Sequence, residues 1–263
     1  MDPIAIFKDR QRKSWASFAP FESFTALAAP RLVQFARIAR GQRVLDVGCG
    51  TGVAAIAAAR LGAVVTGVDL TPELVERAKQ NAHTAGTALD LHVGDVEELA
   101  FADGSFDVVI SQFGHMFAPR PEVAVREMVR VLKPGGTLAF STWPPELYTG
   151  RMFLLVATYL PPPPGVVSPA LWGDPSVIRE RLGTGVKDLE FDRDIAYFPA
   201  MSPNHVRQFM EQSAGPVIAV VNSLDGQPQQ LAQFRKKFDD LVGEYFEGNT
   251  VRQGFLVTRA TKV

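Results

Sequence analysis

Between residues 42 and 143 the chain alternates short apolar runs with longer stretches whose apolar residues recur every three or four positions. The runs near 43–47, 64–69, 89–94, 106–111 and 137–142 are rich in Val and Ile and alternate little. That is the pattern of strands covered on both faces by helices. Helices are predicted over 53–61, 72–85 and 121–132, and Thr71 before Pro72 predicts a capped start with proline in the first turn. Strands and helices in strict alternation predict an open, doubly wound α/β sheet. Right-handed crossovers then bring the carboxyl ends of the strands to one edge.

The flanks follow other rules. Residues 1–41 read as helical, with Trp15, Phe18, Phe21 and Phe24 three apart and Pro20 breaking the first helix. This segment is expected to pack on the domain and to close over its site as a lid. Residues 144–250 predict an apolar helix over 148–160, stopped by the prolines at 161–164, then a strand over 186–198 and helices over 203–212 and 228–246. A last core strand is expected within 251–263. Material inserted after the fifth strand lies at the carboxyl edge and is expected to cap a substrate.

The densest chemical signal is the turn after the first strand. Gly48, Gly50 and Gly52 follow Val44, Leu45, Asp46 and Val47, and a helix begins at Val53. Glycine permits the tight turn and the close approach of backbone N–H groups to a ligand. The second strand ends in Asp69, where a carboxylate of an open α/β sheet grips a ribose diol. A nucleoside-bearing cofactor is implied. The dinucleotide fingerprint needs a third glycine at position 53, where this chain has Val53, and Asp46 would repel a pyrophosphate. A carboxylate there suits the ammonium and sulfonium centres of S-adenosylmethionine, which is preferred to NAD.

Composition narrows the partners. A formal net charge of -1 over 263 residues provides no broad basic field for a phosphate backbone, so nucleic acid is disfavoured. The one cysteine, Cys49, allows no internal disulfide, and four scattered histidines give no metal-ligand spacing. The charged start lacks a signal-peptide core and no apolar run spans a bilayer, so a cytoplasmic monomer or homodimer is expected.

Three more segments complete the series: Val93, Gly94, Asp95 and Val96; 105–111 around Asp107; and the turn Lys133, Pro134, Gly135, Gly136. Together with the glycine turn and Asp69 they resemble the class I S-adenosylmethionine-dependent methyltransferases, in the ubiquinone-biosynthesis-like or type 11 branch. The resemblance covers residues 42–141 and a last strand over 251–263. It implies a seven-stranded Rossmann-like sheet of order 3-2-1-4-5-7-6 with the last strand antiparallel. It also implies that Asp46, Gly48, Cys49, Gly50, Thr51 and Gly52 wrap the methionine part of the cofactor. By the same likeness Asp69 and Leu70 hold the ribose, Asp95, Val96 and Glu97 meet the adenine, and Trp15, Ser111 and Gln112 complete the cofactor site.

Those motifs leave the acceptor open. His115, just past the fourth strand, is the candidate general base for an acceptor that must lose a proton, with pocket wall as its other reading. Phe18, Phe113, Met116, Phe153 and Tyr197 are candidate substrate-pocket residues, and their character suggests a small apolar or aromatic acceptor. An NAD(P)-dependent oxidoreductase and a catalytically inactive cofactor-binding protein are the competing readings.

Overall fold

The computed structural model describes residues 3–263. Its core is one sheet in the order β3-β2-β1-β4-β5-β8-β6. The strands are β1 (Arg43–Val47), β2 (Val64–Asp69), β3 (Asp90–Val93), β4 (Phe106–Gln112), β5 (Leu132–Thr142), β6 (Val186–Pro199) and β8 (Thr250–Lys262). β1 to β5 pair in parallel, whereas β8 lies antiparallel between β5 and β6. An eighth strand, the two-residue β7 (Phe246–Glu247), forms a hairpin with β8. The order agrees with expectation, β8 being the seventh strand of the path.

Helices α1 (Pro3–Trp15), α2 (Glu22–Phe35), α3 (Val53–Arg60), α4 (Pro72–Thr84) and α5 (Pro121–Val131) precede the insertion. α1 already ends at Trp15, so Pro20 does not break it; Pro20 instead sits in the single turn Ala19–Phe21 that leads into α2. Thr71 starts α4 without a side-chain cap. The Thr71 N–H itself donates to Asp69 Oδ1 at 2.9 Å, which fixes the turn between β2 and α4.

The insertion holds α6 (Tyr148–Tyr159), α7 (Pro175–Leu182), α8 (Pro203–Ser213), α9 (Gly215–Ser223) and α10 (Pro228–Tyr245). The sequence reading did not anticipate α7 and α9. Both are short and carry a proline in the first turn, Pro175 in α7 and Pro216 in α9, and at α7 Asp174 accepts from the Ser176 N–H at 2.8 Å as a helix cap. Two strands run longer than predicted. β5 begins at Leu132, paired with Phe106, and β8 begins at Thr250, paired with Pro199. Val44, Val108, Val109, Ile110 and Ala139 are buried on the central strands, as their unalternating pattern requires.

Candidate active site

The first and fourth strands converge at their carboxyl ends through backbone rather than side chains. Gly48 follows β1 with φ +64, and a Cβ built on it would lie 2.8 Å from the Cα of Gly114. A Cβ on Gly114 would in turn lie 2.7 Å from the Cα of Gly48. Two glycines therefore let the turns after β1 and β4 touch. Ser111 locks the same junction: its hydroxyl donates to the Val47 carbonyl at 2.6 Å and accepts from the His115 N–H at 3.0 Å. Gly50, with φ +54 and open space where a Cβ would be, leaves its side of the turn free.

Two carboxylates flank that turn. Asp69 Oδ2 accepts from the Gly50 N–H at 2.8 Å, so the end of β2 holds the glycine turn in shape. Burial raises the pKa of Asp69 against the backbone hydrogen bonds from Thr71 and Gly50 that lower it. Asp46 is 1% exposed and neither of its carboxylate oxygens has a hydrogen-bond partner. Burial pushes its pKa up to about 8 against a lowering by the backbone N–H of Ala55, and the nearby Asp69 charge adds to the rise. Cys49 is buried and free, and burial raises its thiol pKa well above the ordinary value. It is a packed thiol rather than a nucleophile.

Together these residues form one wall of a cavity of about 1470 Å³, measured with its open mouth. Of the predicted cofactor residues, Trp15, Asp46, Gly48, Cys49, Gly50 and Thr51 line it, as do Asp69, Leu70, Asp95, Val96 and Gln112. Phe18, Phe113, Phe153 and His115 line it as well.

Five predicted residues lie outside that wall. Gly52 faces Ala78 at the start of α3, and Ser111 spends its hydroxyl on the β1–β4 junction. Glu97 is buried as the shared partner of Lys8 and Arg120. Met116 points into the core at 1% exposure, because the single turn at His115–Phe117 turns Phe117 to the cavity instead. Tyr197 is 47% exposed on the outer face of β6, while its neighbour Phe198 is buried against Phe21 and Phe24. Strand alternation permits only one of two adjacent residues to face inward.

His115 lines the cavity, but its surroundings oppose proton uptake. The ring is 1% exposed, stands 4.5 Å from the Phe140 ring and 4.6 Å from Trp172, and has no hydrogen bond at either nitrogen. Burial, aided by the Arg181 charge, lowers its pKa to about 3. A neutral imidazole with so weakly basic a nitrogen is a pocket residue and a poor proton acceptor at neutral pH.

The cavity has further walls that sequence reasoning missed. Phe113 adopts φ +61, an uncommon conformation for a bulky side chain, and stacks on Trp143 at 3.9 Å between ring centres. Trp143, Tyr148, Met152 and Gln253 all line the space. The signal available was their position: the end of β5, the first turns of α6, and β8 where it passes beneath them.

The N-terminal helix crosses the mouth. No residue of α1 is buried, yet Lys8 pairs with Asp95 at 2.6 Å and with Glu97, and Gln11 donates to the Phe117 carbonyl at 2.9 Å. Trp15 packs on Phe117 with ring centres 4.6 Å apart. The helix is thus held by a few polar and aromatic contacts at the margin of the cavity and, around Ser14, packs on Gly215 at the start of α9. Lys8→Met should accelerate backbone amide exchange across residues 3–15 severalfold in hydrogen-exchange mass spectrometry, while moving the melting temperature by less than about 2 °C. Unchanged exchange would show that the helix does not depend on this ion pair.

Residues 45–140 match the family described as methyltransferase domain. An uncharacterized Mycobacterium tuberculosis protein is 33% identical over 92% of this chain and 89% of its own. The chain belongs to the class I S-adenosylmethionine-dependent methyltransferases. A ubiquinone biosynthesis O-methyltransferase of Xanthomonas campestris is 44% identical over 54% of this chain and 59% of that protein. The fold also matches a Haemonchus contortus phosphoethanolamine N-methyltransferase in complex with S-adenosyl-L-methionine, at TM-score 0.54 and 24% identity, over 90% of this chain and 52% of that one. Among the described residues no group of His, Cys, Asp and Glu is arranged to hold a metal ion. No described helix is long and apolar enough to cross a membrane.

Proposed function

We propose that this methyltransferase holds S-adenosylmethionine along the carboxyl edge of β1, β2 and β3 and methylates a small apolar or aromatic molecule in the aromatic part of the cavity. The observation that carries the reading is Asp46. A buried carboxylate without a partner is costly in itself, and a cation beside it turns that cost into binding. When bound, S-adenosylmethionine supplies an electrophilic methyl group on a positively charged sulfur.

The chain's residues supply position and exclusion of water. Asp69 has lone pairs to spare beyond its bonds from Gly50 and Thr71, which suits the two hydroxyls of a ribose. Asp95 and Val96 offer a carboxylate and an apolar side chain for an adenine. Phe18, Phe113 and Phe153 exclude water from the reacting region, and α1 covers its margin. With His115 so weakly basic, alignment in a dry site carries the catalysis.

The decisive test is calorimetric titration with S-adenosylmethionine, S-adenosylhomocysteine and NADH. Saturable binding of the two sulfur nucleosides alone is expected, and binding of NADH alone would redirect the assignment to hydride transfer. Asp69→Ala should weaken S-adenosylhomocysteine about tenfold, since the ribose loses a charged hydrogen-bond partner. Unaltered affinity in the folded variant would remove Asp69 from the site.

A further inference from the structure

The acceptor side of the cavity has a polar pole that nothing in the chain satisfies. Tyr148, the first residue of α6, is fully buried and its hydroxyl has no hydrogen-bond partner. Gln253 on β8 is 3% exposed, and its Nε2 is also without one. The two positions are joined: Thr149, next to Tyr148, donates its hydroxyl to Gln253 Oε1 at 3.2 Å. That bond occupies the amide oxygen and leaves the amide hydrogens. Burial raises the pKa of the Tyr148 phenol, so it stays a donor throughout the physiological range. Both residues line the cavity beside Trp143, Phe113 and Met152.

The charges of the wall are equally selective. Lys8 is the only lysine or arginine lining the cavity among the described residues, and it is engaged by Asp95 and Glu97. His115 is held neutral. An anionic molecule would therefore be buried with no free cationic side chain to meet it. A plain hydrocarbon would leave the hydroxyl and the amide unpaired, and sites built to hydrogen-bond an oxygen reject analogues lacking it.

We propose that Tyr148 and Gln253 determine acceptor specificity as paired donors, and that the acceptor is an uncharged aromatic molecule bearing an oxygen that both can reach. The proposal rests on the methyltransferase reading and names the acceptor class for the same site.

The test uses protein loaded with S-adenosylhomocysteine and a set of probes of one shape, followed by ligand-observed NMR titration. The probes are 4-ethylphenol, ethylbenzene, the anion 4-hydroxyphenylacetate and the cation tyramine. 4-Ethylphenol should bind at least tenfold tighter than each of the other three. Tyr148→Phe and Gln253→Leu should each weaken 4-ethylphenol about tenfold and leave ethylbenzene and S-adenosylhomocysteine within twofold. Tyr148→Phe loses one oxygen at nearly constant volume, which keeps the test valid if Gln253→Leu fails to fold. Equal binding of 4-ethylphenol and ethylbenzene, tighter binding of either charged probe, undiminished affinity in Tyr148→Phe, or no binding of any probe would overturn the proposal. Failure of S-adenosylhomocysteine to bind, with the phenol still selected through Tyr148, would instead overturn the methyltransferase reading and leave the donor pair standing.

Discussion

Gly114→Ala should destabilise the protein by about 3 kcal/mol or more and abolish cofactor binding, although it adds a single methyl group. The added Cβ would sit 2.7 Å from the Gly48 Cα and nearer still to its carbonyl oxygen. Backbone is on both sides of that contact, so no rotamer change relieves it. Relief requires the turns after β1 and β4 to separate, which also pulls the Ser111 hydroxyl from the Val47 carbonyl. Gly114 has φ -82, so no backbone penalty confuses the result. Gly243→Ala is the control: it lies within α10 with nothing within 4 Å of its Cβ position, and should stabilise by up to about 1 kcal/mol. Urea denaturation reads both. A Gly114→Ala protein as stable as the wild type would mean that the junction yields.

Between pH 6.5 and 8 the cofactor-free protein should lose about 1 kcal/mol of stability. Asp46 keeps its proton in the folded state up to about 8, whereas in the unfolded chain it ionises near 3.8. The folded state thus binds the extra proton, and stability falls as pH rises through that window. His115 has the opposite sign. Its folded pKa of about 3 lies below the ordinary 6.5, so its contribution is present above 6.5 and is lost as pH falls toward 3. From about 4 to 6.5 the two slopes offset each other, apart from a fall contributed by Asp69, whose pKa is also raised. Above about 7.5 the histidine no longer titrates in either state, and between 6.5 and 7.5 the end of its unfolded-state titration offsets only a small part of the Asp46 slope. Asp46→Asn should abolish the decline between pH 6.5 and 8 in urea unfolding. Saturating S-adenosylmethionine should flatten it in the wild type, because a neighbouring cation favours the ionised carboxylate. A decline that persists in Asp46→Asn would assign it to another group.

The parts of the fold legible in the sequence were those encoded locally. Strand runs, the glycine turn and the proline-started helix at Pro72 each depend on neighbours in the chain, and all appear within a few residues of expectation. Asp46 and Asp69 were readable because strand ends mark a sheet edge before any packing is known. What was not legible depended on contacts between distant segments. Gly114 carries no special φ, and its need for glycine arises only where it meets Gly48. Lys8 is an ordinary charge on an exposed helix until the fold brings it to Asp95 and Glu97. The misplacement of Tyr197 has a similar origin. The period of β6 is evident from sequence, but which parity faces the core is decided by α2 and its phenylalanines. His115 was found by position, yet its basicity is set by Phe140, Trp172 and Arg181, which arrive from three other segments.

The place of β8 in the sheet has a consequence for synthesis of the chain. β1 to β5 can pair as they leave the ribosome, each strand meeting a neighbour already made. β6 cannot: its sheet partner is β8, whose residues are translated only after α8, α9 and α10. During that interval the outer edge of β5 and the whole of β6 are open backbone, the kind of surface that pairs with other chains. Gln253 arrives with the same late strand, so the acceptor pocket is finished last. A nascent chain stalled before residue 250 should already carry a folded cofactor edge while depending on chaperones to shield the rest.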